Sequence, residues 1–322
     1  MMKGKIKLTA ILMILFFFIQ ALLVITATAI DQENQIIVVD KNGSGDYSSI
    51  NEAVHNTKSG STIFIKNGEY SEIIDIRKSI NLVGEDKIHT LINPISERNK
   101  YAICLGAPDS SLRSLTISNG APGLYSSVVK ITASNTLVDY CNIFDTPIGI
   151  AIWSSGNTIQ NCLFQGCEDE GIALLGSQNS ECNNNKIINC VFYDNCDGVE
   201  LQYSSGNTIY NCEFYENTHT GIDAIAKSND NNVISNCKIY NNIVHGIYLS
   251  GSSENQIIDC QVSDNNDGNI IINKNSINNQ IINNQDLETL FSNLKLKISE
   301  IIQNIISRFP RLENSLIRNY FY

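Results

Sequence analysis

The sequence predicts an all-β fold, a right-handed parallel β-helix of about nine or ten coils. A short phrase recurs through the middle of the chain at intervals of 21–28 residues. Between residues 60 and 285 the apolar runs are short and alternating, and Gly, Asn, Asp or Ser bounds each of them. No helical period interrupts this stretch. Several short strands per repeat are typical of a solenoid whose coils stack about 4.8 Å apart.

The repeated phrase has three fixed polar or small positions. It contains an Asn, a Cys five positions later, and a Gly eight or nine positions after the Cys. The Asn positions are Asn157, Asn185, Asn207, Asn232 and Asn255; the Cys positions are Cys141, Cys162, Cys190, Cys212, Cys237 and Cys260; the Gly positions are Gly149, Gly171, Gly198, Gly221, Gly246 and Gly268. We expect the Asn column to sit at a left-handed bend and to hydrogen-bond from coil to coil.

Strand alternation places the Cys column inside the coil. The residue two positions after each Cys then also points inward, which predicts a stack of Phe164, Phe192 and Phe214. Free Cys behaves as a small buried hydrophobe, so this column is expected to pack rather than to react. Cys167 and Cys196 lie off the column on adjacent coils and are the pair best placed for a disulfide.

The start of the chain predicts export. Residues 1–29 combine three lysines, an apolar run and an Ala-Thr-Ala cleavage site, which together indicate a signal peptide. The protein is then secreted or displayed at the cell surface. The alternative is an uncleaved membrane anchor, because the apolar run approaches the length that spans a bilayer.

Residues 30–60 predict an N-terminal cap and residues 61–285 the β-helix itself. Ile36 to Val39 is expected to form a strand, and residues 48–55 a short helix with Ser48 or Ser49 as its N-cap. Residues 286–322 carry apolar residues at helical spacing, which predicts a C-terminal amphipathic helix. That helix either caps the open end of the solenoid or docks on a membrane surface or a partner protein.

The charge of the chain limits its partners. Removing residues 1–29, which hold three lysines and no acidic residue, changes the net charge from −11 to −14. Such a surface repels nucleic acid and anionic lipid. It also disfavours strongly acidic polysaccharides unless a cation bridges them.

Three phrases within residues 130–285 carry a family likeness: GIAIWSSGNTIQNCLF, GVELQYSSGNTIYNCEF and GIYLSGSSENQIIDCQV. They resemble the repeats of the pectin-lyase-like superfamily, above all its NosD-like and carbohydrate-associated families of exported bacterial and archaeal proteins. The resemblance implies the right-handed β-helix fold and says little about activity.

The phrases VVDKNGSGDYSSINEAV and GSTIFIKNGEYSEIIDIRKSINLVGED are similar to the opening of pectin methylesterases. The active-site phrases of those enzymes do not follow, so esterase activity is not expected. No Arg occurs between Arg113 and Arg308, which removes the arginine base of the related pectate lyases from the repeats.

One strip beside the Gly column is chemically distinctive. In each repeat, the side chain two positions after the Gly is predicted to point outward. These positions form a column of Ala151, Ala173, Glu200, Asp223 and Tyr248. Glu200 and Asp223 then lie on adjacent coils, as candidate catalytic carboxyl groups of a glycoside hydrolase. Asp169, Asp197, His219 and His245 stand just before the glycines as candidate metal ligands, for Ca²⁺ or a transition metal. A solvated polar edge is the third interpretation.

Aromatic residues supply candidate contacts for sugar rings. Trp153, Tyr203 and Tyr248 lie along the same strip, and Tyr193, Tyr215 and Tyr240 form a column three residues after successive Cys positions. The function predicted from these features is a carbohydrate-binding module for an extended polysaccharide or a cell-envelope component. The alternatives are a polysaccharide hydrolase or lyase centred on Glu200 and Asp223, and a structural or adhesion rod of the envelope.

Overall fold

The computed structural model of the protein describes residues 35–94, 101–118, 126–225 and 228–283. The predicted signal peptide at residues 1–29 and the predicted helix within residues 286–322 lie outside the described residues. The described chain is an all-β solenoid with a single short helix. No helix in this part of the chain is both long and apolar enough to cross a membrane.

The strands are short throughout. In chain order the first fifteen are β1 (Ile36–Val39), β2 (Thr62–Ile65), β3 (Gly68–Tyr70), β4 (Ile74–Ile76), β5 (Asn81–Gly84), β6 (Thr90–Ile92), β7 (Tyr101–Leu105), β8 (Ser111–Arg113), β9 (Thr116–Ser118), β10 (Ser127–Ile131), β11 (Leu137–Asp139), β12 (Asn142–Thr146), β13 (Ile148–Ile152), β14 (Thr158–Gln160) and β15 (Leu163–Cys167).

The remaining strands continue the same pattern. They are β16 (Glu170–Leu175), β17 (Lys186–Ile188), β18 (Val191–Tyr193), β19 (Asp197–Gln202), β20 (Thr208–Tyr210), β21 (Glu213–Tyr215), β22 (Ile222–Ala224), β23 (Val233–Ser235), β24 (Lys238–Tyr240), β25 (His245–Leu249), β26 (Gln256–Ile258), β27 (Gln261–Ser263), β28 (Gly268–Ile272) and β29 (Gln280–Ile282).

Three parallel sheets run the length of the solenoid, and a complete coil contributes one strand to each. Sheet A has the order β1-β2-β5-β8-β11-β14-β17-β20-β23-β26-β29; sheet B runs from β3 to β27 and sheet C from β4 to β28, each in steps of three strands. Pairing is in register, so that Ile187 lies beside Ile159 on one side and Ile209 on the other. The predicted parallel β-helix of about ten coils is therefore confirmed.

The core contains the predicted inward columns. All six Cys of the repeat are buried. The rings of Phe164, Phe192 and Phe214 stack in parallel with centroids 4.7 Å apart. The Gly column lies against this stack, because a Cβ at Gly171 would lie 2.8 Å from the Phe192 ring. Glycine is thus required where sheet C approaches the aromatic stack most closely.

The ten cysteines all lie within the described residues, and no disulfide joins any two of them. Nine of them are buried and Cys196 is partly exposed. Cys167 and Cys196, the pair best placed for a disulfide, are not bonded to each other. Cys167 instead donates its backbone N–H to the side chain of Asn195, 3.0 Å away.

The predicted Asn ladder is present and buried. Asn185 Oδ1, for example, accepts from both the backbone N–H and the side-chain amide of Asn157, at 2.9 and 3.1 Å. The expected left-handed backbone is misplaced by one residue, however. It occurs just before the ladder, for example at Asn184 (φ 57°) and Asn231 (φ 57°). The ladder residue itself must present its amide to the neighbouring coil, so the preceding residue makes the bend.

A second buried ladder was not predicted. It consists of Asn195, Asn217, Asn242 and Asn265, five residues after successive Cys positions. Each side-chain amide donates to the Oδ1 of the next Asn, at 3.0 Å from Asn195 to Asn217 and 2.8 Å from Asn217 to Asn242. Two satisfied ladders therefore flank the core where the coil turns.

The N-terminal cap forms as predicted. Helix α1 (Ile50–Asn56) begins after Ser49, whose hydroxyl accepts from the backbone N–H of Glu52 at 3.2 Å. The Glu72 carboxylate also accepts from the first backbone N–H groups of the helix. Strand β1 pairs with β2, so the capping segment supplies the first strand of sheet A.

Candidate functional site

The outer face of sheet C carries the site. Its central column contains, in strand register, Asp75, Cys104, Lys130, Ala151, Ala173, Glu200, Asp223, Tyr248 and Ile271. The predicted alignment of Ala151 through Tyr248 is confirmed. Because successive coils differ in this column while the inner columns repeat, its composition is not dictated by the solenoid.

Glu200 and Asp223 lie side by side on β19 and β22, as predicted. Both are buried, with 7% and 4% of their surface exposed. This burial does not fit a fully solvated polar edge. Gln202 donates to Glu200 Oε1 at 2.5 Å, whereas Asp223 Oδ1 is buried without a hydrogen-bond partner. The pair is therefore asymmetric, with one carboxylate held by an amide and the other less satisfied.

Glu170 joins this pair from the start of β16. Burial and the charge of Glu200 raise the pKa of Glu170 to about 9, so it holds a proton at neutral pH. Burial also raises the pKa of Glu200, although hydrogen bonds from Gln202 and Glu170 lower it in part. Glu170 Oε2 is buried without a partner. Glu170 was not among the site residues predicted from the sequence, because its position in the repeat does not indicate the burial that raises its pKa.

Two further carboxyl groups enlarge the acidic cluster, which comprises Asp169, Glu170, Asp197, Glu200 and Asp223. Burial and then the charges of Asp197 and Glu200 raise the pKa of Asp223 to about 7. Burial also raises the pKa of Asp169, and the charge of Asp197 adds to the shift. All five carboxyl groups of this cluster thus have pKa values raised above the ordinary range, with burial as the largest cause, and such clusters are typical of functional sites.

Asp197 orients His219 at the edge of this cluster. The Asp197 Oδ1 atom lies 2.8 Å from His219 Nδ1 and accepts from the backbone N–H of Thr220 at 2.7 Å. The Asp197 side chain is 7% exposed and the His219 side chain 44% exposed. A buried carboxylate therefore fixes an imidazole that reaches solvent.

The structure brings two of the four predicted metal ligands, Asp197 and His219, together with Cys196. Within the described residues, the group whose ligand atoms lie within 4.8 Å of one another is Cys196, Asp197 and His219. Asp169 and His245 fall outside it. His245 instead stacks on Tyr248, with ring centroids 5.2 Å apart, and burial lowers the pKa of its imidazole.

The predicted aromatic contacts divide between two faces. Trp153, directly after β13, is 47% exposed, and the Lys130 Nζ lies 6.0 Å from its ring centroid. Tyr203 and Tyr248 are partly exposed along the same side of the solenoid. These three residues remain candidates for contact with a ligand on sheet C.

Tyr193, Tyr215 and Tyr240 stack on the outer face of sheet B instead. Their ring centroids are 5.2 and 5.4 Å apart and their planes are nearly parallel. The hydroxyls of Tyr193 and Tyr240 bond to Gln165 and Glu213 of the preceding coils. This stack is a regular, partly buried ladder on sheet B, whereas the acidic cluster lies on sheet C.

Comparisons with known proteins agree on the fold. The family model described as "Right handed beta helix region" matches residues 31–193 and 127–286. No curated protein matches the chain.

Solved structures with the same architecture include a pectate lyase, a mannuronan epimerase and a phage tailspike protein. Pectate lyase Pel9A matches with a TM-score of 0.59 and 13% identity, over 78% of each chain. The A-module of Azotobacter vinelandii mannuronan C-5 epimerase AlgE4 matches with a TM-score of 0.55 and 14% identity, over 73% of this chain and 90% of that one.

The third is tailspike protein 2 from Escherichia coli O157:H7 bacteriophage CAB120. It matches with a TM-score of 0.59 and 13% identity over 72% of this chain, which spans 35% of the tailspike's length. At these identities the likeness establishes the fold alone.

Proposed function

Since this chain belongs to the right-handed β-helix family, we propose that it binds an extended polysaccharide along the outer face of sheet C. The observation that carries this proposal is the acidic cluster, buried on neighbouring coils beside exposed aromatic side chains. Structural neighbours named as a pectate lyase and a mannuronan epimerase support polysaccharide as the ligand class.

The dimensions of the face suit a polymer. Strands β13, β16, β19, β22 and β25 are adjacent in sheet C. At about 4.8 Å per coil they span about 20 Å, enough for several sugar residues. Trp153 and Tyr248 offer flat faces to sugar rings, while Glu200, Gln202 and Asp223 offer acceptors and donors to hydroxyl groups.

The charge of the face selects among glycans. The full chain carries a net charge of −11, and the acidic cluster concentrates carboxyl groups on this face. Neutral or amino-containing polysaccharides are therefore expected to bind better than polyuronates. Raising the salt concentration should weaken binding of an amino glycan and leave binding of a neutral glycan nearly unchanged.

A second candidate function is acid–base hydrolysis of a glycosidic bond. It is favoured by the adjacent Glu200 and Asp223, which differ in environment. Asp223, in its protonated form, would donate a proton to the leaving oxygen as that bond breaks. Glu200, in its ionised form and hydrogen-bonded by Gln202, would attack the anomeric carbon or take a proton from the attacking water.

A polysaccharide panel scored for both binding and product release tests the two functions. The variants are Glu200→Gln and Asp223→Asn, with Glu213→Gln on sheet B as the matched control. We expect at least one neutral or amino glycan to bind the wild type, and either site variant to weaken that binding about tenfold or more, the scale of two lost hydrogen bonds.

The outcomes separate the candidates. New reducing ends with the wild type, absent in both site variants, would establish hydrolysis. Binding without product would establish a binding module. If no glycan of the panel binds, or if Glu213→Gln weakens binding as much as the site variants do, the proposal is overturned and a structural rod is favoured.

A further inference from the structure

A cysteine, a carboxylate and an imidazole converge where the chain turns into sheet C. Cys196 ends the turn that leads into β19, Asp197 is the first residue of β19, and His219 lies in the turn before β22. The backbone N–H of His219 donates to the carbonyl of Cys196 at 2.9 Å, which places the two turns in register. The ligand atoms of all three side chains lie within 4.8 Å of one another.

Two of the three donors are already fixed in position. Asp197 Oδ1 lies 2.8 Å from His219 Nδ1 and also accepts from the backbone of Thr220. Orientation of a ligand set by neighbouring hydrogen bonds is characteristic of metal sites in proteins. The approach is open on one side, because 44% of the His219 side chain is exposed.

Cys196 differs from every other cysteine of the chain. Of the ten, the other nine are buried, and six of those form the repeated inner column. Cys196 is partly exposed and does not belong to that column. Packing therefore explains the column and leaves Cys196 without a structural role of the same kind.

We propose that Cys196, Asp197 and His219 bind a zinc ion through Sγ, a carboxylate oxygen and an imidazole nitrogen. Thiolate, imidazole and carboxylate are the usual ligands of Zn²⁺, and three protein ligands leave the fourth tetrahedral position for water or another ligand. Ca²⁺ prefers sites made of oxygen alone, so this set does not suit it. The proposal does not rest on glycan binding and is tested without any glycan.

The charges around the trio favour a divalent cation. Asp169 and Asp223 lie close enough to Asp197 for their charges to interact with it. A dication at the trio would relieve this repulsion between carboxylates. The competing explanation is a simple hydrogen-bonded Asp197–His219 pair, in which Cys196 takes no part.

Thiol accessibility gives the sharpest test. The full chain, stripped of metal with a chelator, is treated under native conditions with a thiol reagent in the presence and absence of Zn²⁺. We expect about one thiol per chain to react, and Zn²⁺ at about ten times its Kd to slow that reaction about tenfold, because only the metal-free fraction keeps a reactive thiolate. Cys196→Ser should abolish the fast-reacting thiol.

The variants His219→Gln and His245→Gln form a matched pair for this test. Protection by Zn²⁺ should be lost in His219→Gln and kept in His245→Gln, because His245 lies outside the trio. Substituting Co²⁺ for Zn²⁺ should give a thiolate-to-metal charge-transfer band that disappears in Cys196→Ser. Circular dichroism confirms that each variant remains folded.

Three results would overturn the zinc site. The first is that Zn²⁺ protects the thiol of His219→Gln as well as that of the wild type. The second is that His245→Gln loses this protection as fully as His219→Gln is expected to. The third is a Co²⁺ spectrum without a thiolate band. Each leaves the glycan panel unaffected, so failure of the zinc site and failure of the proposed function are distinguishable.

Discussion

The asparagine ladders and the acidic cluster are both buried polar sets on successive coils, yet they are satisfied to different degrees. Asn217 accepts from Asn195 and donates its side-chain amide to Asn242 and to the carbonyl of Phe192. Glu170 Oε2 and Asp223 Oδ1, by contrast, are buried without partners. The ladders repeat along the solenoid and the cluster does not.

This difference separates architecture from function. A buried amide whose groups are all bonded stabilises the coil and fixes its register. A buried polar atom without a partner destabilises the fold by about 1–3 kcal/mol. Such a cluster is expected where a ligand supplies the missing partners, which is the role proposed for the outer face of sheet C.

Breaking a ladder should have the largest effect. Asn217→Ala would leave the backbone N–H and the side-chain amide of Asn195 without their acceptor. We expect a loss of about 3 kcal/mol or more in the free energy of unfolding. Urea denaturation measures it, with the exposed Lys238→Ala as control. A loss below about 1 kcal/mol would show that the ladder is not stabilising.

Neutralising the cluster should have the opposite sign. Glu170→Gln keeps the shape of the side chain and removes its ionisation beside Glu200. We expect the free energy of unfolding to rise by about 1–2 kcal/mol at pH 9, where the carboxyl group is half ionised. Glu213→Gln on sheet B is the charge-matched control. If Glu170→Gln lowers the free energy of unfolding, Glu170 stabilises the fold and the expectation is wrong.

The pH dependence follows from the raised pKa values. The pKa of Asp223 rises from 3.8 to about 7 on folding, so between these values the folded state binds more protons than the unfolded state. Stability is therefore expected to fall as pH rises through this window, by about 1 kcal/mol or more. Thermal unfolding of metal-free protein between pH 4 and 7 measures the slope. Asp223→Asn should flatten it, and an unchanged slope would refute the assignment.

The tyrosine ladder of sheet B should show the smallest effect. Tyr215→Leu removes two ring stacks, each contributing about 0.5–1.5 kcal/mol, and replaces them in part with aliphatic contact. A modest loss of stability is expected, with glycan binding unchanged. If binding falls as much as in Asp223→Asn, the ligand lies on sheet B and the two faces have been assigned the wrong way round.

Repetition explains why most of the fold could be predicted. The Asn, Cys and Phe columns recur because each coil must form the same hydrogen bonds at its bend and fill the same core. A single sequence therefore contains the pattern several times. Alternation from those columns also placed Glu200 beside Asp223 correctly. The Ser49 cap was predictable because its signature is local.

The site itself was less predictable because it depends on features that do not repeat. Alternation assigned Glu200 and Asp223 to the outside, and an outward side chain is ordinarily exposed, so their burial was not expected. The burial of Glu170 at the start of β16 has no signal in the sequence either. From the sequence, Cys196 was considered as a disulfide partner of Cys167. In the structure it lies beside Asp197 and His219 instead.

Paired measurement of stability and glycan binding in Asp223→Asn tests the central claim most directly. If the acidic cluster serves a ligand, the variant should unfold at a higher urea concentration than the wild type at pH 8 and bind the best glycan of the panel about tenfold more weakly. A variant that is less stable and binds equally well would contradict the account, because Asp223 would then be part of the architecture.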